Sequence, residues 1–402
     1  MIRKNIANEI DGSILEGGGQ VIRNSVAISA LTCKSLKMYN IRGGRTKPGL
    51  QAQHMCGLRL VHQMMMNGKS TKSSVLEGCT LGSKEVIFKP FGDNDAIDIN
   101  DDAAEVQNED DHEKFAIDIQ TAGATTLLAQ VALPVALFRP SKSVLMDLKG
   151  GTNAAFAPPI DYYEAIFGHI LQRFFGASFE TKILKRGYFP KGGGHIQLNV
   201  KPLTRPLQAV TLTDPGNVST ITVYASCAGK VPRSKAKQMA SSASQHLVSQ
   251  GLRNDSIDIV TQYFDSNQAF GNGSHIFVKA ELTSGCVLGS SAILGPKDTP
   301  EQVGKDAATA MLRYIDQGVC LDEYAQDQVI IFMALAKGCS KVLIGPMTLH
   351  TKTAIYVLEH LTEARFKVSP VSEVTNIIEC DGIGFEPNPK KVKKESVEQH
   401  HP

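Results

Sequence analysis

Short apolar runs bounded by glycine, proline and polar residues recur along this chain and read as strands, among them 75–76 with 86–88, 144–148 and 342–344. Longer stretches with helical period lie between them. Val21, Ile22, Val26 and Ile28 form the apolar side of a helix opened by Gly17, Gly18 and Gly19. Val329, Phe332, Met333 and Ala336 make an apolar stripe, and 351–366 reads as a helix with Ile355, Leu358 and Leu361 on one side. Further on, 234–248 and 300–315 read as helices, and 221–225 and 275–282 as strands. A mixed α+β fold follows. Glycine clusters at 17–19, 43–44, 150–151 and 192–194 hint at a repeated strand–loop–helix unit, though their spacing is irregular.

With 402 residues the chain exceeds one ordinary hydrophobic core. Composition shifts to prolines and hydroxyls around Pro202 to Pro206, and a fresh α/β pattern then runs to about Gly318. The expected division is a large domain from 1–202 and 319–385, a smaller α/β domain inserted at 203–318, and a basic tail at 386–402. Segment 93–113 holds ten Asp or Glu residues and no Lys or Arg, which reads as a solvated acidic loop. The tail PNPKKVKKE reads either as a disordered terminus or as a nuclear-import signal.

Hydrophobic content of 42% and charged content of 20% exclude global disorder. The net charge is only +2, so any nucleic-acid contact must come from local clusters of Lys and Arg. Eight widely separated cysteines with no CxxC pair read as buried thiols in a reducing compartment. No apolar run reaches the roughly 18 residues of a membrane helix, so an intracellular protein without membrane contact is expected.

Four segments have the makings of chemistry. In the first, Glu16 precedes three glycines and a helix carrying Arg23; a helix start favours anions, the carboxylate suits a divalent metal and the guanidinium suits phosphate. By itself it reads equally as a glycine turn with a solvent-facing carboxylate. The second, 41–54, has Arg42, Arg45 and Lys47 in a glycine-containing loop, with Pro48 placed to enter the first turn of a helix that brings Gln53 and His54 to the same anion. Its plain alternative is a solvated basic loop. In the third, Tyr324, Asp327 and Gln328 share a helix face displaced from the apolar stripe, and a ring beside an amide and a carboxylate suits a purine; an ordinary amphipathic surface helix is the alternative. In the fourth, His350 sits where a strand gives way to a helix, a place for a nucleophile to meet a phosphate. Among eleven histidines, spacing alone does not single it out.

Together with TAGA at 121–124, GGTNAAFAPP at 150–159, RGYFPKGGG at 186–194, NQAFGNG at 267–273 and TLHTKTAI at 348–355, these segments resemble the catalytic branch of the RNA 3'-terminal phosphate cyclase family, in the family's order. The resemblance implies a large domain of repeated βαβ-type units, each with two helices on a four-stranded sheet, like the C-terminal domain of a bacterial translation initiation factor. It implies a smaller inserted thioredoxin-like domain. The implied activity is ATP-dependent conversion of an RNA 3'-phosphate to a 2',3'-cyclic phosphate, with Mg²⁺ or another divalent metal and no obligate protein partner. His350 would be the nucleophile that carries AMP, and Glu16 the metal ligand. Arg23, Arg42 and Arg45 would bind phosphates beside Gln53 and His54; Tyr324 and Pro158 would sandwich adenine, near Asp327, Gln328 and Gln130. The alternative within the same resemblance is a non-catalytic scaffold in pre-ribosomal RNA processing, against which His350, Arg42, Arg45 and Glu16 all speak. The acidic segment is longer than the family pattern implies.

Overall fold

The computed structural model describes residues 8–66, 74–90 and 112–387. Most of the acidic segment and nearly all of the lysine-rich tail lie outside them.

Four sheets make up the described chain. The first is built from β1 (Asn8–Asp11), α1 (Gly19–Thr32), β2 (Leu36–Tyr39), α2 (Ala52–Met66), β3 (Val75–Glu77) and β4 (Val86–Lys89), with strand order β1-β2-β4-β3. β1 runs parallel to β2, and the other pairings are antiparallel. A second sheet follows the same path through β5 (His112–Asp118), α3 (Thr125–Leu137), β6 (Ser143–Gly150), α4 (Ile160–Tyr162), β7 (Ser178–Gly187) and β8 (Gly194–Lys201). Its order is β5-β6-β8-β7, again with only the first pair parallel. Here the second helix continues beyond α4 in wide π-type turns over Tyr163–Gly168 and Leu171–Phe175.

Between β9 (Thr211–Leu212) and the rest of a third such unit lies the fourth sheet. It comprises β10 (Val218–Ala228), α5 (Arg233–Ser249), β11 (Ile257–Phe264), β12 (Ala269–Phe270), β13 (Gly273–Leu282), β14 (Val287–Ile293) and α6 (Pro300–Gln317). Its order is β11-β10-β13-β14, while β12 leaves it to pair with β7. The third unit then resumes with α7 (Ala325–Gln328), α8 (Ile330–Leu335), β15 (Lys337–Ile344), α9 (Leu349–Leu361), β16 (Arg365–Pro370) and β17 (Asn376–Ile383). Its order β9-β15-β17-β16 repeats the pattern of the first two.

The strands and helices expected at 75–76, 86–88, 144–148, 221–225, 234–248, 275–282, 300–315 and 342–344 all fall within these elements. Three local expectations are corrected. Pro48 stands in the loop, because α2 starts only at Ala52. The helix read over 351–366 is α9, which starts at Leu349 and stops at Leu361; Thr362 turns extended, and Phe366 belongs to β16. The single helix implied by the Tyr324 face and the stripe to Ala336 is two short ones, α7 and α8. Among the thiols, Cys33 and Cys339 are exposed rather than buried, and none of the eight forms a disulfide.

One continuous apolar core joins the units; Val21, Ile22, Val26 and Ile28 of α1 lie in it, as do Phe332 and Met333 of α8. Filling the space between helices and sheets with close-packed aliphatic and aromatic groups fixes their mutual positions. α1 packs against α9, so the starts of the first and third units' helices are brought side by side. The backbone N–H of Glu16 donates to Thr353 Oγ1 at 3.2 Å, tying the glycine turn to α9. Among the described residues no helix is long and apolar enough to cross a membrane.

Candidate active site

The turn before α1 is shaped by its glycines. Gly17 has φ of +53°, a region that favours glycine, and a Cβ on Gly18 would lie 1.8 Å from Glu16 Oε1. Only a residue without a side chain lets the Glu16 carboxylate fold back over this turn. On Gly19 a Cβ would lie 2.5 Å from the Arg23 guanidinium and 2.8 Å from His54 Nε2, so arginine and imidazole meet over bare backbone. Arg23 is oriented by donating to Gln20 Oε1 at 2.7 Å.

From the neighbouring loop, Arg45 forms an ion pair with Glu16 and donates to its backbone carbonyl at 2.9 Å. Arg42 is held within its own loop, donating to the carbonyls of Lys47 at 2.6 Å and Gly49 at 3.1 Å. His54 is buried in the first turn of α2, and its Nδ1 accepts from the backbone N–H of Gln51 at 3.2 Å. Burial first, then Arg23 and Arg42, drive its pKa down to about 3. The ring is therefore neutral, and with Nδ1 accepting, its proton sits on Nε2, the nitrogen beside Gly19. Gln53 accepts from the Ala124 N–H at 3.3 Å, fixing the turn that opens α3.

A cavity of about 290 Å³ opens beside this cluster. Seven of the residues expected at the site line it: Arg23, Gln130, Pro158, Tyr324, Asp327, Gln328 and His350. Arg23 is shared with a smaller recess that Gln53 and His54 also line. Glu16, Arg42 and Arg45 do not line the larger cavity, but Glu16 and Arg45 are near enough, with Arg23, for their charges to reach His350.

Local structure explains how these groups are aimed. Asp322 is fully buried and accepts from Tyr162 Oη at 2.5 Å, Gly289 N at 2.8 Å, and the N–H groups of Tyr324 and Ala325, each at 3.0 Å. It thus starts α7 and sets the Tyr324 ring, which packs edge-on against Tyr162 at 5.4 Å. Pro158 is pinned by Thr126 Oγ1, which donates to its carbonyl at 2.8 Å. Thr348 caps α9, accepting from the Thr351 N–H at 3.1 Å, and leaves His350 exposed in the first helical turn. Desolvation by its surroundings holds the His350 pKa below the ordinary value; Glu16 opposes, while Arg23 and Arg45 add to the lowering. The imidazole is neutral and keeps a lone pair near neutral pH. Asp327 is pushed up to about 7, by burial first, with Arg23 opposing and Asp322 and Glu16 adding to the rise.

Four buried polar atoms here lack a hydrogen-bond partner among the described residues: Glu16 Oε2, Gln20 Nε2, Arg23 Nε and Gln328 Oε1. Unsatisfied buried groups are costly, and their concentration around one space is what a polar ligand would relieve. No group of three His, Cys, Asp or Glu residues suited to a metal occurs among the described residues. Glu16 Oε2, which has no partner among the described residues, could serve as a single carboxylate ligand to a Mg²⁺-like ion whose other ligands are phosphate oxygens and water. A ring, a proline face, an amide and a carboxyl around the cavity suit a purine, and the cations at its edge suit phosphates.

Sequence reasoning missed four groups lining the cavity, Leu127, Phe156, Glu323 and Thr348, and the anchoring role of Asp322. Glu323 and Asp322 lay in the segment singled out for Tyr324. Phe156 sits in a loop without periodicity, which gives no signal of its exposure.

The family model for RNA 3'-terminal phosphate cyclase matches residues 14–368. A probable RNA 3'-terminal phosphate cyclase of Dictyostelium discoideum is 36% identical over 387 residues, covering 94% of this chain and 84% of that one. The RNA 3'-terminal phosphate cyclase of Drosophila melanogaster is 35% identical, over 94% of this chain and 96% of that one. Its counterpart in the archaeon Desulfurococcus amylolyticus is 33% identical, over 94% and 99%. By the family match across the cavity-lining segments, and by similarity along nearly its whole length, the chain belongs to the RNA 3'-terminal phosphate cyclase family.

Proposed function

We propose that this enzyme uses ATP to convert an RNA 3'-phosphate to a 2',3'-cyclic phosphate, with His350 as the nucleophile. The observation that carries the reading is that an accessible, neutral imidazole lines the same cavity as Arg23, Tyr324, Pro158, Asp327 and Gln328. A bound nucleotide would lay its base between Tyr324 and Pro158, with Gln328 and Asp327 alongside and Gln130 on the α3 side.

The lone pair of His350 attacks the α-phosphorus; a nitrogen–phosphorus bond forms, the bond to the bridging oxygen breaks, and pyrophosphate leaves. A 3'-phosphate oxygen of the RNA then takes AMP from His350, leaving the RNA end as an anhydride. The adjacent 2'-oxygen loses its proton and attacks the terminal phosphorus, and AMP departs with the bond electrons. Activation is needed because a phosphomonoester oxygen is a poor leaving group, while an internal hydroxyl is already in place. DNA lacks that hydroxyl, hence RNA.

Arg23, Arg42 and Arg45 neutralise charge that builds on the phosphates, and the Nε2–H of His54 donates beside Arg23. Glu16 would hold a divalent cation, which supplies further charge neutralisation when bound. Asp327, with a pKa near 7, exchanges its proton within the cavity at working pH. The initiation-factor-like and thioredoxin-like kinship of the units, and delivery to the nucleus by the lysine-rich tail, rest on the sequence alone and belong to the same proposal.

The test is incubation with α-labelled ATP and Mg²⁺, followed by a search for a protein–AMP bond that is acid-labile and base-stable, as phosphoramidates are. His350→Ala should abolish it; labelling unaffected by that substitution would overturn the assignment.

A further inference from the structure

Two of the segments that stand out in the sequence, 186–194 and 267–273, supply no residue to the catalytic cavity. They meet each other instead. β12 runs parallel to β7, with Ala269 opposite Arg186 and Phe270 opposite Gly187. The Phe270 ring rests on the backbone of Gly193, where a Cβ would come within 2.3 Å of it. Lys185 and Lys191 place their ammonium groups 5.9 Å and 6.0 Å from that ring's centroid. Phe189, two residues before Lys191 in the same loop, is 74% exposed, and Phe270 itself is 44% exposed. Across the sheet, Lys149 and Lys185 both stand opposite His195 in register, and His195 is hydrogen-bonded to Asp147 at 2.6 Å.

The loop that carries Phe189 and Lys191 touches the turn leading into α3, a helix that lines the catalytic cavity. A Cβ on Gly192 would lie 2.4 Å from the carbonyl oxygen of Thr121, in the turn that opens α3, and α3 contributes Leu127 and Gln130 to the cavity. A third ring, Phe156, stands fully exposed at the cavity itself on a backbone with φ of +62°. A bulky residue in that region is strained, and strain of this kind collects at ligand sites.

We propose that Phe189 and Phe270, flanked by Lys185 and Lys191, form a subsite for the single-stranded RNA nucleotides that precede the reacting 3' end; this rests on the function proposed above. Exposed rings with lysines beside them are the combination that holds single strands, because every base has a face to stack and every linkage a phosphate to pair. Protein partners are a poorer fit, since lysine is depleted at the centres of protein interfaces. The rings give grip without base identity, as an enzyme acting on ends requires.

The test uses a fluorescein-labelled RNA about a dozen nucleotides long, ending in a 3'-phosphate and carrying 2-aminopurine near that end; this length exceeds the several nucleotides such sites span. The chain contains no tryptophan, so the base analogue is read without interference. The parent protein should quench the analogue on binding. The double variant Phe189→Ala, Phe270→Ala should lose the quenching and bind about tenfold or more weakly. Phe270→Leu keeps the packing on Gly193 and should show its share of the same loss, which separates stacking from folding. Lys185→Gln and Lys191→Gln should each lower the slope of log affinity against log salt by about 0.7. Unchanged quenching and affinity in the double variant, or no quenching by the parent, would overturn the subsite. Failure of the parent to form protein–AMP would instead overturn the proposed function, a result read separately from RNA binding.

Discussion

The first and third units place a histidine at the same point of the same topology, in the first turn of the second helix, and then treat it in opposite ways. His54 in α2 is buried, its Nδ1 engaged by the Gln51 backbone and its pKa driven down to about 3. His350 in α9 is exposed at the cavity, with a pKa held below the ordinary value by desolvation first. Burial decides the difference. A ring locked between backbone and arginines can donate one fixed hydrogen bond, whereas a ring with an open nitrogen and a lone pair can form a bond to phosphorus. The repeat supplies a helix start twice, and packing of α1 against α9 turns two equivalent positions into one site with two roles.

The comparison can be broken from either side. The largest expected effect is on the nucleophile: His350→Ala should slow protein–AMP formation by a factor on the order of 10³ or more, whereas His54→Ala should leave a slower but measurable adduct. Single-turnover labelling checks both. Next comes Arg23, which serves both regions; Arg23→Ala should cost about 10²-fold in the same assay. Glu16→Gln should raise the Mg²⁺ concentration needed for half-maximal labelling by roughly tenfold, read by metal titration after chelation, because the remaining oxygens are substrate and water.

The pH behaviour of the two histidines should also separate. His54 has its folded pKa depressed to about 3 from an ordinary 6.5, so its contribution to stability is full above pH 6.5 and falls away as pH drops toward 3. Thermal melts should show the parent losing about 3 kcal/mol between pH 7 and pH 4 from this group, a loss that His54→Asn removes. His350, with a folded pKa below its ordinary value, should make the labelling rate rise with pH, with the midpoint of the rise below pH 6.5. Asp327 behaves in the opposite sense: its folded pKa of about 7 lies above its unfolded one, so its stabilisation is complete below the unfolded pKa and lost as pH rises through 7. Asp327→Asn should therefore gain on the parent by roughly 4 kcal/mol between pH 4 and pH 8, read by thermal melts.

What the sequence made legible follows from what periodicity can carry. Strands such as β6 and helices such as α5 and α6 were readable because each shows an uninterrupted apolar pattern of one period. α9 was read too long because Phe366 continues an apolar count that the backbone abandons at Thr362. The repeated topology was only hinted at, since one copy has a whole sheet inserted after β9 and another carries π-type turns in its second helix. For the site, the charged and aromatic residues were legible by chemical type, and seven of them line one cavity. Phe156 and Thr348 were not, because an exposed ring and a capping hydroxyl acquire their roles only from where the loops lie. Residue spacing does not distinguish the two histidines, which only the family resemblance separates; the structure adds the physical reason, the Gln51 hydrogen bond and the burial around α2.

The most direct test is to locate the AMP. After brief incubation of the protein with ATP and Mg²⁺ at alkaline pH, peptide mass spectrometry should find adenylate on the peptide containing His350 and none on that containing His54. Adenylate on His54, or on a lysine, with the His350 peptide unmodified would contradict the account.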